Sequence, residues 1–138
     1  MPVGQLTAVS GSRGVLYVPG ATASGPVREG AAVAVVYLGG QTRIVECSSA
    51  STPEGFHGFA ATAVADGDPV GIITIRGSLV TPILEGGGAL TPGSALFLSG
   101  TSGELSHTPP VTGYVIRVGE AVSPSELSFN TDARVVRP

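Results

Sequence analysis

Apolar residues along this chain fall in short runs, four to eight residues long, with glycine, proline and polar residues between them. The runs cover 15–18, 31–38, 42–47, 70–75, 79–84, 95–98, 111–118, 126–129 and 133–136, and they are rich in β-branched and aromatic side chains. Runs of this length between turn residues predict strands. Many short strands at near-regular spacing predict a compact antiparallel β-sandwich or barrel, jelly-roll-like. Alternation assigns faces in 111–118, where Thr112, Tyr114, Ile116 and Val118 share one side. In 31–38 both sides are apolar, Val33, Val35 and Tyr37 against Ala34, Val36 and Leu38, which predicts a central strand covered on both faces.

A helical reading fails. No window of a dozen residues keeps apolar positions at i, i+3, i+4 and i+7 without a glycine or proline intervening. Residues 58–65 are ambiguous, because their alanines permit a helical turn before Asp66-Gly67-Asp68-Pro69 stops it. Residues 1–30 differ from the rest. Outside the run at 15–18 they are rich in Gly, Ala, Ser and Thr, and they predict an extended N-terminal arm with one short strand, ahead of a single β domain over 31–138.

Composition narrows the functional classes. A chain of 138 residues suits one domain. With 42% hydrophobic and only 12% charged residues it can build a core, which removes the disordered class. All seven basic residues are arginines, scattered through a chain of net charge −3. Phosphate backbones require clustered cations, so direct nucleic-acid binding is not expected. The longest apolar run is eight residues, far short of the roughly 20 that span a bilayer. The N-terminus lacks the basic and long apolar segments of a signal peptide, so no membrane role or processing is expected. Cys47 is the single cysteine and lies in an apolar run, where it reads as a small buried hydrophobe.

The candidate chemical motifs have the composition of turns. Asp66 and Asp68 flank Gly67, but no further oxygen ligands follow at calcium spacing. His57 and His107 have no partner cysteine or acid in a zinc pattern. Ser99-Gly100-Thr101-Ser102-Gly103 has turn composition, not that of a nucleophile elbow. Gly86-Gly87-Gly88 lacks the Lys-Ser/Thr of a phosphate loop. The seven aromatics, without tryptophan, form no stacking platform beside basic residues. The expectation is no catalytic residue, no metal and no cofactor.

Residues 66–129 resemble the β-rich modules of tailed-bacteriophage structural proteins. The resemblance is carried by Asp66-Gly67-Asp68-Pro69-Val70-Gly71-Ile72, by Ala89-Leu90-Thr91-Pro92-Gly93-Ser94-Ala95-Leu96-Phe97-Leu98-Ser99, and by Gly103-Glu104-Leu105-Ser106. Pro109-Pro110-Val111 and Tyr114-Val115-Ile116-Arg117-Val118-Gly119-Glu120-Ala121-Val122-Ser123 complete it. Similar phrasing occurs in head-decoration (capsid cement) proteins and in tail-fibre domains. The chain lacks the repeat or coiled-coil attachment region of a fibre, which favours the decoration class.

The resemblance implies a structural virion protein on the outer surface of the head, made in the host cytoplasm, with the major capsid protein as partner. The alternative it leaves is a tail-fibre, spike or other virion adhesion module. Low charge and plentiful valine and alanine predict a homo-oligomer, and analogy with virion modules favours a trimer over a dimer. Residues 1–14 carry one charge, Arg13, and three glycines, and are expected to lie along a neighbouring subunit or the capsid by strand addition. Leu6 and Val9 are the candidate contact residues. Removing residues 1–12 is accordingly expected to spare the domain's melting temperature and lower its occupancy on capsids.

Overall fold

The computed structural model describes residues 15–50, 55–111, 113–130 and 134–137. Its architecture is all-β, with two six-stranded sheets, one curled into a half-barrel, and no α-helix among the described residues. The first sheet comprises β1 (Val15–Tyr17), β2 (Thr22–Ala23), β3 (Ala32–Leu38), β4 (Gln41–Glu46), β5 (Phe56–Ala60) and β6 (Gly71–Ile73). Their order is β1–β6–β5–β3–β4–β2. The second comprises β7 (Leu79–Val80), β8 (Ala95–Leu98), β9 (Leu105–Ser106), β10 (Gly113–Ala121), β11 (Leu127–Phe129) and β12 (Arg134–Arg137). Their order is β9–β8–β10–β11–β7, with β12 also paired to β10. Each sheet therefore collects one half of the chain.

Local chemistry explains the long hairpin β3–β4. Leu38 pairs with Gln41 across two glycines, Gly39 and Gly40, with φ of 57° and 81°. Two consecutive positive φ values make the type I′ turn whose twist matches that of the flanking strands.

Facing side chains of the two sheets form the main core. Phe59 of β5 and Phe129 of β11 meet with ring centroids 5.4 Å apart, and Phe56 closes a triangle at 5.7 and 6.0 Å. All three pairs are edge-to-face, the arrangement the ring quadrupole favours. Leu96, Leu98, Leu105, Ile116 and Leu127 are fully buried in the same cluster, each stabilising the fold by about 1.5–3 kcal/mol. A smaller cluster covers the opposite face of the first sheet, where Val33, Ile44 and Ile72 pack under Ala23, Val27 and Val70. β3 is thus central and covered on both faces over its first half. Its far end emerges into solvent, with Tyr37 73% exposed.

Several expectations change. Residues 58–65 do not begin a helical turn: 56–60 form β5, and Ala60 is buried. Gly58 lies so close to β6 that a Cβ there would overlap the Ile73 carbonyl, so only glycine allows the two strands to approach. The antiparallel expectation fails at β2, which runs parallel to β4, on the side of β4 away from β3. Residues 15–30, grouped in the sequence with the arm, add β1 and β2 to the first sheet and Ala21, Ala23 and Val27 to the second cluster.

Candidate functional site: a clasped body and its exposed apolar edge

The densest polar constellation among the described residues surrounds Arg28, in the connection between β2 and β3. Its side chain grips Glu46, the last residue of β4, through Nε to Oε2 at 3.1 Å and Nη2 to Oε1 at 2.8 Å. The Arg28 backbone N–H donates to Glu46 Oε2 at 2.9 Å. From the second sheet, Glu104 Oε2 accepts from Nη1 at 3.1 Å and the Ser102 carbonyl accepts from Nη2 at 2.9 Å. Paired donors in a rigid fork suit a carboxylate held side-on.

The main chain reinforces this clasp. Gly103 donates its N–H to the Cys47 carbonyl at 2.8 Å, while its own carbonyl accepts from the Ala32 N–H at 3.0 Å. The turn between β8 and β9 is thereby plugged into the first sheet between the start of β3 and the end of β4. Gly103 has φ +81°, and a Cβ there would come within 2.5 Å of Glu46 Oε1. Hydrogen bonding to Glu46 raises the Arg28 pKa further above its already high ordinary value, against the opposing effect of burial. A guanidinium committed to four acceptors ties segments together and has little left for a substrate.

The remaining candidate residues from the sequence serve the fold. Asp66 Oδ1 accepts from the Gly25 N–H at 2.7 Å and lies 3.5 Å from Arg43 Nη2, pinning its turn to the β2 segment. The Asp68 carbonyl accepts from the Ala23 N–H at 2.8 Å. His57 is the extra, exposed residue of a β-bulge opposite β3. His107 Nε2 accepts from the Thr91 N–H at 3.1 Å, which places the ring proton on Nδ1. Ser99 Oγ accepts from the Thr101 N–H at 2.8 Å within its own turn. Cys47 is fully buried, and desolvation pushes its thiol up to about 12. Among the described residues no three of His, Cys, Asp and Glu form a group able to hold a metal ion. Leu6 and Val9 lie outside the described residues.

What the surface does present is apolar. Val15, Leu16 and Tyr17 of β1 are all exposed, as are Ile75 just beyond β6, Leu79 in β7, and Tyr37 and Leu38 at the β3–β4 tip. The clasp was invisible in the sequence, since Arg28 lies 18 residues from Glu46 and 76 from Glu104. The exposed edge had a weak signal: the run at 15–18 is apolar on both alternating faces, which a strand with one solvated side would not be. No protein-family model, curated protein or solved structure matches the chain.

Proposed function

We propose that the protein is a structural, non-catalytic component of a tailed-phage particle that binds the outside of the assembled head lattice and stabilises it. The observation that carries this reading is the combination of an internally clasped two-sheet body with large apolar side chains displayed at β1 and at the β3–β4 tip. Exposed apolar groups concentrated at strand edges and turns mark contact surfaces, and a rigid body transmits load between whatever it touches. The phrasing of residues 66–129 supports the same class.

Stabilisation would arise by linkage. A molecule that binds the assembled lattice and not its loose subunits shifts the equilibrium toward the lattice by mass action. Many copies, each contacting neighbouring capsomers and one another, add avidity without a large interface per copy. The major capsid protein and further copies of this chain are the partners, and no cofactor takes part.

The experiment is a titration of heads that lack the protein. Saturable uptake at a fixed number of copies per head, with a higher temperature of DNA release, is the expected result. Heads that neither take up the protein nor gain heat resistance would sink the proposal.

A further inference from the structure

The turn Asp66-Gly67-Asp68-Pro69 sets two intrinsically labile peptide units side by side. An Asp–Gly unit rearranges when the glycine nitrogen attacks the aspartate side-chain carbon. An Asp–Pro unit breaks when the aspartate carboxylate attacks its own backbone carbonyl carbon and expels the proline nitrogen. That tertiary amide nitrogen takes up a proton more readily than an ordinary peptide nitrogen, which makes it the better leaving group.

The fold treats the two units differently. Asp66 Oδ1 accepts from the Gly25 N–H at 2.7 Å and lies 3.5 Å from Arg43 Nη2. The Gly67 N–H donates to the Ala23 carbonyl at 2.8 Å. Neither the carboxyl group nor the nitrogen is free to close the Asp66–Gly67 ring. Asp68 and Pro69 are both exposed, and among the described residues the Asp68 carboxylate has no hydrogen-bond or ion-pair partner. Its own backbone carbonyl accepts from the Ala23 N–H at 2.8 Å. Attack on that carbonyl puts negative charge on its oxygen, where the Ala23 N–H already points. Ala23 is fully buried in β2, which holds the donor in place.

We propose that Asp68–Pro69 is a self-cleavage site, at which the fold promotes the break. An Asp68 Oδ bonds to the Asp68 backbone carbonyl carbon and closes a cyclic anhydride, while the C–N bond to Pro69 breaks. The electron pair of that bond stays on the proline nitrogen, which takes a proton from solvent and leaves as a secondary amine. Water then opens the anhydride and leaves residue 68 with a free α-carboxyl group beside its side-chain carboxyl. The net reaction is hydrolysis and needs no oxidant or reductant.

The cut leaves the body whole. β6 lies between β1 and β5, so a strand that follows the cut is held between two that precede it. Val70 is buried just past the cut, and the Gly71 carbonyl accepts from the Ala61 N–H at 2.8 Å. Arg28 and Glu104 join the pieces a second time. The product is two chains in one particle, with a new carboxylate and a new amine on an exposed loop. The chemistry is independent of what the protein binds.

The full chain, warmed at about pH 5 and shown by circular dichroism to be folded there, tests this by denaturing electrophoresis and intact-mass spectrometry. Fragments 1–68 and 69–138 should appear with first-order kinetics independent of protein concentration. Their rate should be at least about tenfold higher than in the same buffer with unfolding urea. Size-exclusion elution of the nicked protein should match that of the intact one. Asp68→Glu would require a larger, slower-closing ring, and Pro69→Ala supplies a poorer leaving group; each should slow the cut at least about tenfold.

A folded rate no higher than the unfolded one would overturn the proposal, because the break would then belong to the dipeptide alone. Cutting that quickens with protein concentration, or that persists undiminished in Asp68→Glu, would overturn it as well. So would isoaspartate at Asp66 accumulating ahead of the cut in the folded protein.

Discussion

Replacing Gly103 by alanine probes the clasp with a built-in control. Gly103 and Gly93 both adopt positive φ, +81° and +88°. Alanine in that region costs about 1–2 kcal/mol, partly offset by a less flexible unfolded chain, so each substitution carries a shared penalty of about 1 kcal/mol. At Gly93 nothing lies within 4 Å of the added methyl. At Gly103 the methyl meets Glu46 Oε1 at 2.5 Å, Glu46 Cδ at 2.9 Å and Arg28 Nη2 at 3.0 Å. Glu46 must swing away and take the paired Arg28 hydrogen bonds with it. Charge-assisted bonds contribute about 1.5–3 kcal/mol each when buried. The Arg28 side chain is 48% exposed, against 15 and 17% for the two glutamates. Solvent therefore takes up part of the loss, leaving about 2 kcal/mol for the whole clasp.

Gly103→Ala is expected to cost about 3 kcal/mol and Gly93→Ala about 1. Urea unfolding followed by far-ultraviolet circular dichroism and tyrosine emission measures both, since the chain has three tyrosines and no tryptophan. In an Arg28→Ala background the excess cost of Gly103→Ala should fall toward zero, because the clasp is already open. Equal costs for the two glycine variants would refute the claim that Arg28, Glu46 and Glu104 lock the sheets together.

Cys47 supplies a pH test: its pKa rises from an ordinary 9.0 to about 12 in the folded protein. The protonated thiol is the form the fold favours, so its contribution is complete below pH 9 and is lost as pH climbs toward 12. Cys47→Ala should remove an alkaline destabilisation of about 3 kcal/mol between about pH 8 and about pH 11, read from the urea midpoints at the two values; parallel pH profiles for the two proteins would contradict it. Phe129→Ala opens the aromatic triangle and should cost about 3–5 kcal/mol in the same unfolding assay, while a loss under about 1 kcal/mol would show that the triangle is not a core contact. Calcium should leave the melting temperature unchanged, because Asp66 is engaged with Gly25 and Arg43, and a calcium-dependent rise of several degrees would overturn that assignment.

Strand positions were legible where a β-branched run stood between turn residues. The run at 95–98 coincides with β8, and those at 15–18, 42–47 and 126–129 differ from β1, β4 and β11 by one residue at an end or both. β5 was missed because Gly58 and the alanines after it carry no β-branched signal; close approach to β6, a tertiary effect, fixes that strand. β2 and β9 have two residues each, too few for any periodicity. The clasp depends on contacts between distant segments, and no local pattern around Arg28, Glu46 or Glu104 could announce it. Asp66 was read as a turn residue for its local chemistry, and its hold on Gly25, 41 residues away, was equally hidden.

The proposed place on the outer head lattice is tested most directly by imaging. Heads lacking the protein, mixed with an excess of it and imaged by electron cryomicroscopy, should carry an ordered layer of extra density on the outer lattice, repeated with the capsid symmetry. A two-sheet body should fit each unit of that density. Bare heads under saturating protein, or density confined to the tail, would contradict the account.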